Sequence, residues 1–194
     1  MVYIVHGYTS SSSAEWFPWL KNMLLDKGIN VSVFDMPNPY SPVASEWIQH
    51  LENNIKNLSS GTYFIGHSLG CITLLRYLEN QPDNINIGGI ILASGFLRNN
   101  PKYPALDPFV KEDLNIEKII KMTENRIVLS APNDKYVPYE FSSELAQFLK
   151  AKFITVENGG HFIGQEGFFQ FPQVYDELCR MIEKSANAFK KKKT

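Results

Sequence analysis

The sequence has little that would mark a secreted, membrane-embedded or nucleic-acid-binding protein. Its 194 residues include only two cysteines, Cys71 and Cys179, which are too few for a disulfide scaffold and fit a reducing compartment. No apolar run approaches the roughly 18 residues that a membrane helix needs. The net charge of −1 provides no basic field for nucleic acid. We therefore expect a cytoplasmic protein that binds neither membranes nor nucleic acids.

Signatures of metal and cofactor sites are also missing. The four histidines and two cysteines do not have metal-ligand spacing, and there is no GxGxxG or Walker-type motif, so we expect no metal and no cofactor. A strand-like run begins at Val2, so no signal peptide is expected. Four consecutive lysines, Lys190 to Lys193, lie near the end of the chain, and we interpret residues 190–194 as a basic, disordered tail.

Short β-branched and aromatic runs alternate with helix-period stretches along almost the whole chain. The predicted strands are residues 2–5, 30–34, 62–65, 87–93, 126–130 and 152–156. Most are continuous apolar runs, which is typical of strands buried on both faces of a parallel sheet. The predicted helices are residues 16–24, 41–58, 71–78, 116–122, 139–149 and 171–182, the second capped and started by Ser41 and Pro42. This pattern predicts an α/β fold, with about six parallel strands flanked by helices in one domain of residues 1–189.

A GxSxG motif follows the third predicted strand and precedes a predicted helix. In a nucleophile elbow the serine lies on a strained turn, and the residues two before and two after it must be small. Gly66 and Gly70 meet that demand around Ser68. The alternative interpretation is a glycine-rich turn that only packs closely.

Two further residues stand where the chemistry of Ser68 requires them. A serine hydroxyl needs a general base, and the base needs a carboxylate to orient it. Asp134 follows the fifth predicted strand and His161 the sixth, in the chain order Ser, Asp, His that hydrolases of this architecture use. Either residue alone would be interpreted as structural, Asp134 as a turn or helix cap and His161 as a hydrogen-bonded histidine. Together with the elbow they predict a catalytic triad.

The loop after the first strand, His6-Gly7-Tyr8, would complete such a site. Backbone amides at the helix N-terminus and in this loop are the expected oxyanion donors, so we assign the oxyanion hole to the amides of Leu69 and Tyr8. For the His6 side chain we favour a structural hydrogen bond. Asp35 also ends a strand at this edge, but Asp134 is preferred as the acid.

The sequence resembles the small serine hydrolases of the retinoblastoma-binding-protein-9 and YdeN type, a cap-less branch of the α/β-hydrolases. The resemblance covers nearly the whole chain. It rests on residues 6–8, 16–20, 36–39, 66–70, 134–138 and 160–161, of which the tryptophan-rich segment 16–20 and Met36-Pro37-Asn38-Pro39 are the most discriminating. It implies a shortened sheet and an esterase-like triad of Ser68, His161 and Asp134. A lysine-rich extension after Phe189 is not a feature of the family.

Residues 94–125 are too few for a separate cap domain, so an open site is expected. Within them Phe96, Tyr103 and Phe109 either line an acyl pocket or belong to the core, and the core is the favoured interpretation. The predicted function is a serine hydrolase of small or medium carboxylic esters. Cleavage of thioesters, amides or peptides by the same triad remains open. So does a regulatory protein that keeps the fold and binds a protein partner, which the family resemblance alone suggests.

Overall fold

A computed structural model describes residues 1–191, with side chains described through residue 187. Six strands form one parallel sheet: β1 (Val2–Val5), β2 (Val31–Phe34), β3 (Tyr63–His67), β4 (Gly89–Ala93), β5 (Arg126–Ser130) and β6 (Lys152–Thr155). Their spatial order is β2-β1-β3-β4-β5-β6, and every neighbouring pair is parallel. The strand order reverses between β1 and β3, which is where ligands bind in sheets of this type. The predicted α/β class is confirmed.

Within the described residues, six helices cover the two faces of the sheet: α1 (Phe17–Asp26), α2 (Ala44–Asn54), α3 (Leu69–Glu79), α4 (Ile116–Met122), α5 (Tyr139–Phe148) and α6 (Pro172–Lys191). Apolar side chains of α1 and α6 pack with one face of the sheet, and those of α2 to α5 pack with the other. Each face therefore has its own hydrophobic cluster, and the strands carry side chains into both.

The strands differ in burial according to their place in the sheet. All residues of β3 and β4 are buried, as predicted for central parallel strands. Most residues of the edge strands β2 and β6 are only partly buried, and Lys152 is exposed. Continuous burial was therefore the right expectation for the centre and the wrong one for the edges, because an edge strand lacks a neighbour on one side.

Two helix starts differ from the sequence prediction by more than one residue. Helix α2 begins at Ala44, not at Ser41 and Pro42. The Ser41 amide closes a turn on the Asn38 carbonyl at 2.9 Å, so this part of the chain is used for a turn before the helix starts. Helix α3 begins at Leu69, two residues earlier than predicted, so that Ser68 alone separates it from β3.

Between β4 and β5 the chain forms a short 3₁₀ segment, Pro104–Phe109, and helix α4, without a separate cap. Helix α6 continues through Lys191 and so includes the first two residues of the predicted tail. Lys192, Lys193 and Thr194 lie outside the described residues, and the division at residue 189 stays a prediction. Within residues 1–191, no helix combines the length and the apolar character that crossing a membrane requires.

Candidate active site

Ser68 lies on a one-residue turn between β3 and α3. Its backbone has φ 53° and ψ −120°, a strained conformation for a residue with a side chain. The flanking glycines are sterically required. A Cβ at Gly66 would lie 2.8 Å from the Cys71 Cα, and a Cβ at Gly70 would lie 2.6 Å from the His6 carbonyl oxygen. The sequence motif is therefore an elbow that larger residues at these two positions would obstruct.

Asp134 lies beyond the end of β5 and is fully buried at its side chain. Its Oδ1 accepts hydrogen bonds from the amides of Tyr136 at 2.8 Å and Val137 at 3.0 Å. Its Oδ2 accepts from His161 Nδ1 and from Ser94 Oγ, both at 2.8 Å. Burial raises the pKa of Asp134, but the hydrogen bond and charge of His161, together with the hydrogen bonds from the Val137 and Tyr136 amides, outweigh it and hold the pKa below its ordinary value. The carboxylate is therefore ionised at neutral pH.

His161 follows β6 and is 7% exposed. Because an ionised carboxylate can only accept, the bond to Asp134 places a proton on Nδ1 and selects the neutral tautomer whose lone pair lies on Nε2. The ring packs against the rings of Tyr136 and His67, each with a centroid distance of 5.0 Å. Ser68 and His161 line the same cavity. Among the residues described, no hydrogen bond joins their side chains.

Two backbone amides next to Ser68 are available as donors. Within residues 1–191, neither the Tyr8 amide nor the Leu69 amide has an acceptor. Leu69 is the first residue of α3, where amides are not paired within the helix. The chain before Tyr8 runs close to the elbow, since a Cβ at Gly7 would lie 2.9 Å from the Ser68 Cβ. Glycine at position 7 permits this close approach.

His67 and His6 are buried beneath the site and have structural contacts. His67 Nε2 donates to the His161 carbonyl at 2.7 Å, and burial lowers the pKa of His67 to about 3, so the ring is neutral. His6 Nε2 accepts from the Met36 amide at 3.0 Å, while its Nδ1 donates to the Gly7 carbonyl at 2.7 Å. The predicted structural interpretation of His6 fits these contacts.

Asp35 and Cys71 have structural roles. Asp35 bonds the amide and hydroxyl of Ser12, at 2.7 and 2.9 Å, and does not contact His161. Cys71 is buried, and burial raises the pKa of its thiol, so it is a small core residue and not an activated nucleophile.

The cavity at this edge of the sheet has a volume of about 260 Å³. Its walls are mostly apolar and aromatic, and the lining includes Tyr8, Phe96, Tyr103, Leu106, Tyr136 and Val137. Phe96 and Tyr103 thus face the cavity, while Phe109 is 1% exposed and belongs to the core. The favoured core interpretation holds for Phe109, but for Tyr103 and Phe96 it missed the cavity contact. Phe96 belongs to both the core and the cavity wall, since it lines the cavity and is only 3% exposed.

The sequence comparisons all indicate the same family. A model of the serine hydrolase family matches residues 2–180. YdeN of Bacillus subtilis strain 168, described as a hydrolase, is 42% identical over 183 residues, which cover 94% of this chain and 96% of YdeN. The serine hydrolase RBBP9 of Rattus norvegicus is 24% identical over 170 residues, which cover 87% of this chain and 84% of RBBP9.

Comparisons of structure agree. The crystal structure of the ydeN gene product has a TM-score of 0.91 at 41% identity, covering 94% of this chain and 98% of that chain. Est1E from Butyrivibrio proteoclasticus has a TM-score of 0.69 at 15% identity, covering 96% and 88%, and this likeness concerns the fold alone. With a family model matched over most of its length and a relative this similar, the chain belongs to the serine hydrolase family, as a small hydrolase of the YdeN and RBBP9 type.

Proposed function

We propose that this protein is a carboxylic ester hydrolase in which Ser68, His161 and Asp134 act as a catalytic triad. The supporting observation is the 2.8 Å hydrogen bond from His161 Nδ1 to Asp134, beside a cavity that Ser68 also lines. A histidine fixed in this tautomer offers Nε2 to a hydroxyl on the cavity side.

In the proposed reaction Ser68 Oγ attacks the ester carbonyl while His161 Nε2 takes the hydroxyl proton. The resulting imidazolium is stabilised by the ionised Asp134 and then passes the proton to the departing alkoxide. A water molecule, deprotonated by the same nitrogen, attacks the acyl-enzyme, and the imidazolium returns this proton to Ser68 Oγ as the carboxylic acid leaves. This sequence of steps needs no cofactor.

The negative charge of each tetrahedral intermediate develops on the former carbonyl oxygen. Leu69 directly follows Ser68, and Tyr8 lines the cavity together with Ser68, so the unpaired amides of these two residues are the proposed donors to that oxygen. A donor of this kind lowers the barrier by on the order of 3 kcal/mol. The absence of a Ser68–His161 hydrogen bond at rest is compatible with this role, since such bonds often tighten only when substrate binds.

The cavity suggests the size and polarity of the acyl group. Its volume of about 260 Å³ lies below the ~300–1,000 Å³ of sites for drug-sized ligands, and its walls are predominantly apolar. We therefore propose esters of small or medium uncharged acyl groups as substrates.

Labelling with a fluorophosphonate, followed by intact-mass spectrometry, tests the proposal. We expect a single adduct on the parent protein and none on Ser68→Ala. A panel of p-nitrophenyl esters, a thioester and an anilide then compares the reaction types. Folded parent protein without an adduct would overturn the proposed nucleophile and favour a protein-binding role. If the parent protein is labelled but hydrolyses the thioester or anilide faster than the esters, Ser68 remains the proposed nucleophile and only the proposed preference for esters is wrong.

A further inference from the structure

The backbone of His161 is held by hydrogen bonds on both sides of the residue. Its amide donates to Glu166 Oε2 at 2.6 Å, and its carbonyl accepts from His67 Nε2 at 2.7 Å. The next carbonyl, that of Phe162, accepts from Trp16 Nε1 at 3.1 Å. With the imidazole bonded to Asp134, both the main chain and the side chain of His161 are fixed.

Glu166 differs from the other partners because it is an exposed residue on the same loop. It ends the short 3₁₀ segment Gly164–Glu166, and its carboxylate turns back to reach the His161 amide. An exposed glutamate side chain loses considerable rotamer entropy when it is held in one position. The hydrogen bond of 2.6 Å to the His161 amide favours this one position of the side chain.

The Glu166 carboxylate also lies against Gly160. A Cβ on Gly160 would lie 2.5 Å from the Glu166 Cδ, and it would also contact both carboxylate oxygens. Gly160 has φ +56°, a conformation that favours glycine on its own account. Glycine before His161 thus leaves room for the Glu166 carboxylate at the His161 amide.

The segment that carries Glu166 is itself anchored. The amide of Gly164, at its start, donates to Glu15 Oε2 from the loop between β1 and α1. The amide of Glu166 donates to the Ile163 carbonyl at 2.9 Å. The contacts therefore run from Glu15 through the 3₁₀ segment to Glu166 and the His161 amide.

We propose that Glu166 is a positioning residue for His161, holding its backbone so that the imidazole meets Ser68 in the reactive geometry. This proposal rests on the proposed function, in which His161 is the general base. Glu166 does not touch substrate in this role. It acts by limiting displacement of the base, to which catalytic rates are steeply sensitive.

The test compares Glu166→Ala with Glu166→Gln, using p-nitrophenyl butyrate as substrate. The alanine variant removes the acceptor, and we expect kcat to fall between about 10-fold and about 100-fold, the loss typical of a small misplacement, with KM little changed. The glutamine variant keeps an amide oxygen as a neutral acceptor, roughly half as strong, and should recover most of the rate. Glu157→Ala is the matched control, since Glu157 is an exposed glutamate of the same loop.

Two further readouts separate positioning from general damage. The thermal unfolding midpoint checks that each variant is folded. The low-field proton NMR signal of His161 Nδ1–H, assigned by its loss in His161→Ala, reports the ring's bond to Asp134 without requiring activity. We expect this signal to broaden in Glu166→Ala and to return in Glu166→Gln.

Parental kcat and an unchanged signal in Glu166→Ala would overturn the proposal. Equal losses in the alanine and glutamine variants, or an equal loss in Glu157→Ala, would also contradict it. Failure of the proposed function gives a different result, because the parent protein itself is then not labelled by the fluorophosphonate. In that case the NMR comparison still tests whether Glu166 positions His161.

Discussion

Ser94 Oγ and His161 Nδ1 bond the same oxygen of Asp134, each at 2.8 Å. Ser94 follows β4 directly, is completely buried and has φ +51°. Its amide donates to the Leu129 carbonyl at 2.9 Å, which fixes the backbone from which the hydroxyl projects. The carboxylate is thus held from β4 as well as from its own loop.

Removal of the Ser94 hydroxyl should weaken the orientation of this carboxylate. A hydrogen bond to a charged group contributes about 1.5–3 kcal/mol, and only part of it bears on the transition state. For Ser94→Ala we expect kcat to fall by roughly tenfold, or about 1.4 kcal/mol, with KM nearly constant. Steady-state kinetics on p-nitrophenyl butyrate measure the effect.

Ser94→Gly is the informative companion variant. It also lacks the hydroxyl, but glycine adopts the positive φ without strain, so its unfolding temperature should exceed that of Ser94→Ala. Both variants should lose the same activity. If kcat instead followed stability across the two variants, the hydroxyl would have no separate role in orienting Asp134.

Burial of neutral His67 makes stability depend on pH. Its pKa is about 3 in the folded protein against 6.5 as the ordinary value, so below pH 6.5 the unfolded chain binds a proton that the folded protein does not. The contribution of neutral His67 to the free energy of unfolding is fully present above pH 6.5 and decreases as the pH drops towards 3. Between pH 6.5 and 4.5 the loss should be on the order of 2–3 kcal/mol. Urea unfolding of the parent and of His67→Gln at the two pH values measures it.

The glutamine variant removes this titration and keeps an amide donor for the His161 carbonyl, so its profile should be flatter. His6, whose pKa burial also lowers, leaves a residual slope of the same sign. His67→Leu should be equally flat but less stable at neutral pH, because the His161 carbonyl loses its partner. An undiminished slope in both variants would show that other groups cause the acid sensitivity.

Leu106 limits the apolar wall of the cavity and is 7% exposed. Leu106→Ala should enlarge the cavity and raise the ratio of kcat/KM for p-nitrophenyl hexanoate over acetate. Each methylene that the larger cavity buries contributes about 0.8 kcal/mol, or roughly fourfold. Leu20→Ala, on α1 at the opposite face of the sheet, is the control for lost core packing, about 2–5 kcal/mol. It should leave the ratio unchanged, and a ratio that rises equally in both variants would contradict the assignment of Leu106 to the acyl wall.

Most strands and helices could be predicted from the sequence because, in a parallel α/β fold, the periodicity of apolar residues and the turn residues between elements mark where each element lies. Strands β1 and β5 and helix α4 have the predicted bounds. The start of α2 was missed because its N-cap, Val43, makes no side-chain cap, whereas Ser41 and Pro42 look like a helix start. The end of α6 was missed because the apolar pattern stops near Ile182, while the helix continues to Lys191.

At the site, position along the chain predicted which residues meet at one edge of the sheet. Ser94 could have been found by the same rule, because it follows β4 as Ser68 follows β3. Glu166 had no comparable signal, since its contact with the His161 amide depends on how a loop folds back. The cavity walls also depend on such packing, which explains why the cavity contacts of Phe96 and Tyr103 were missed.

The parallel order of β3, β4, β5 and β6 has a consequence for biosynthesis. These four strands pair in the order in which they are synthesised, and they supply Ser68, Ser94, Asp134 and His161 in turn. A nascent chain therefore contains its serine well before the ribosome delivers the histidine. In the proposed mechanism the hydroxyl has no general base throughout that interval, so an incomplete chain lacks the triad that ester hydrolysis requires.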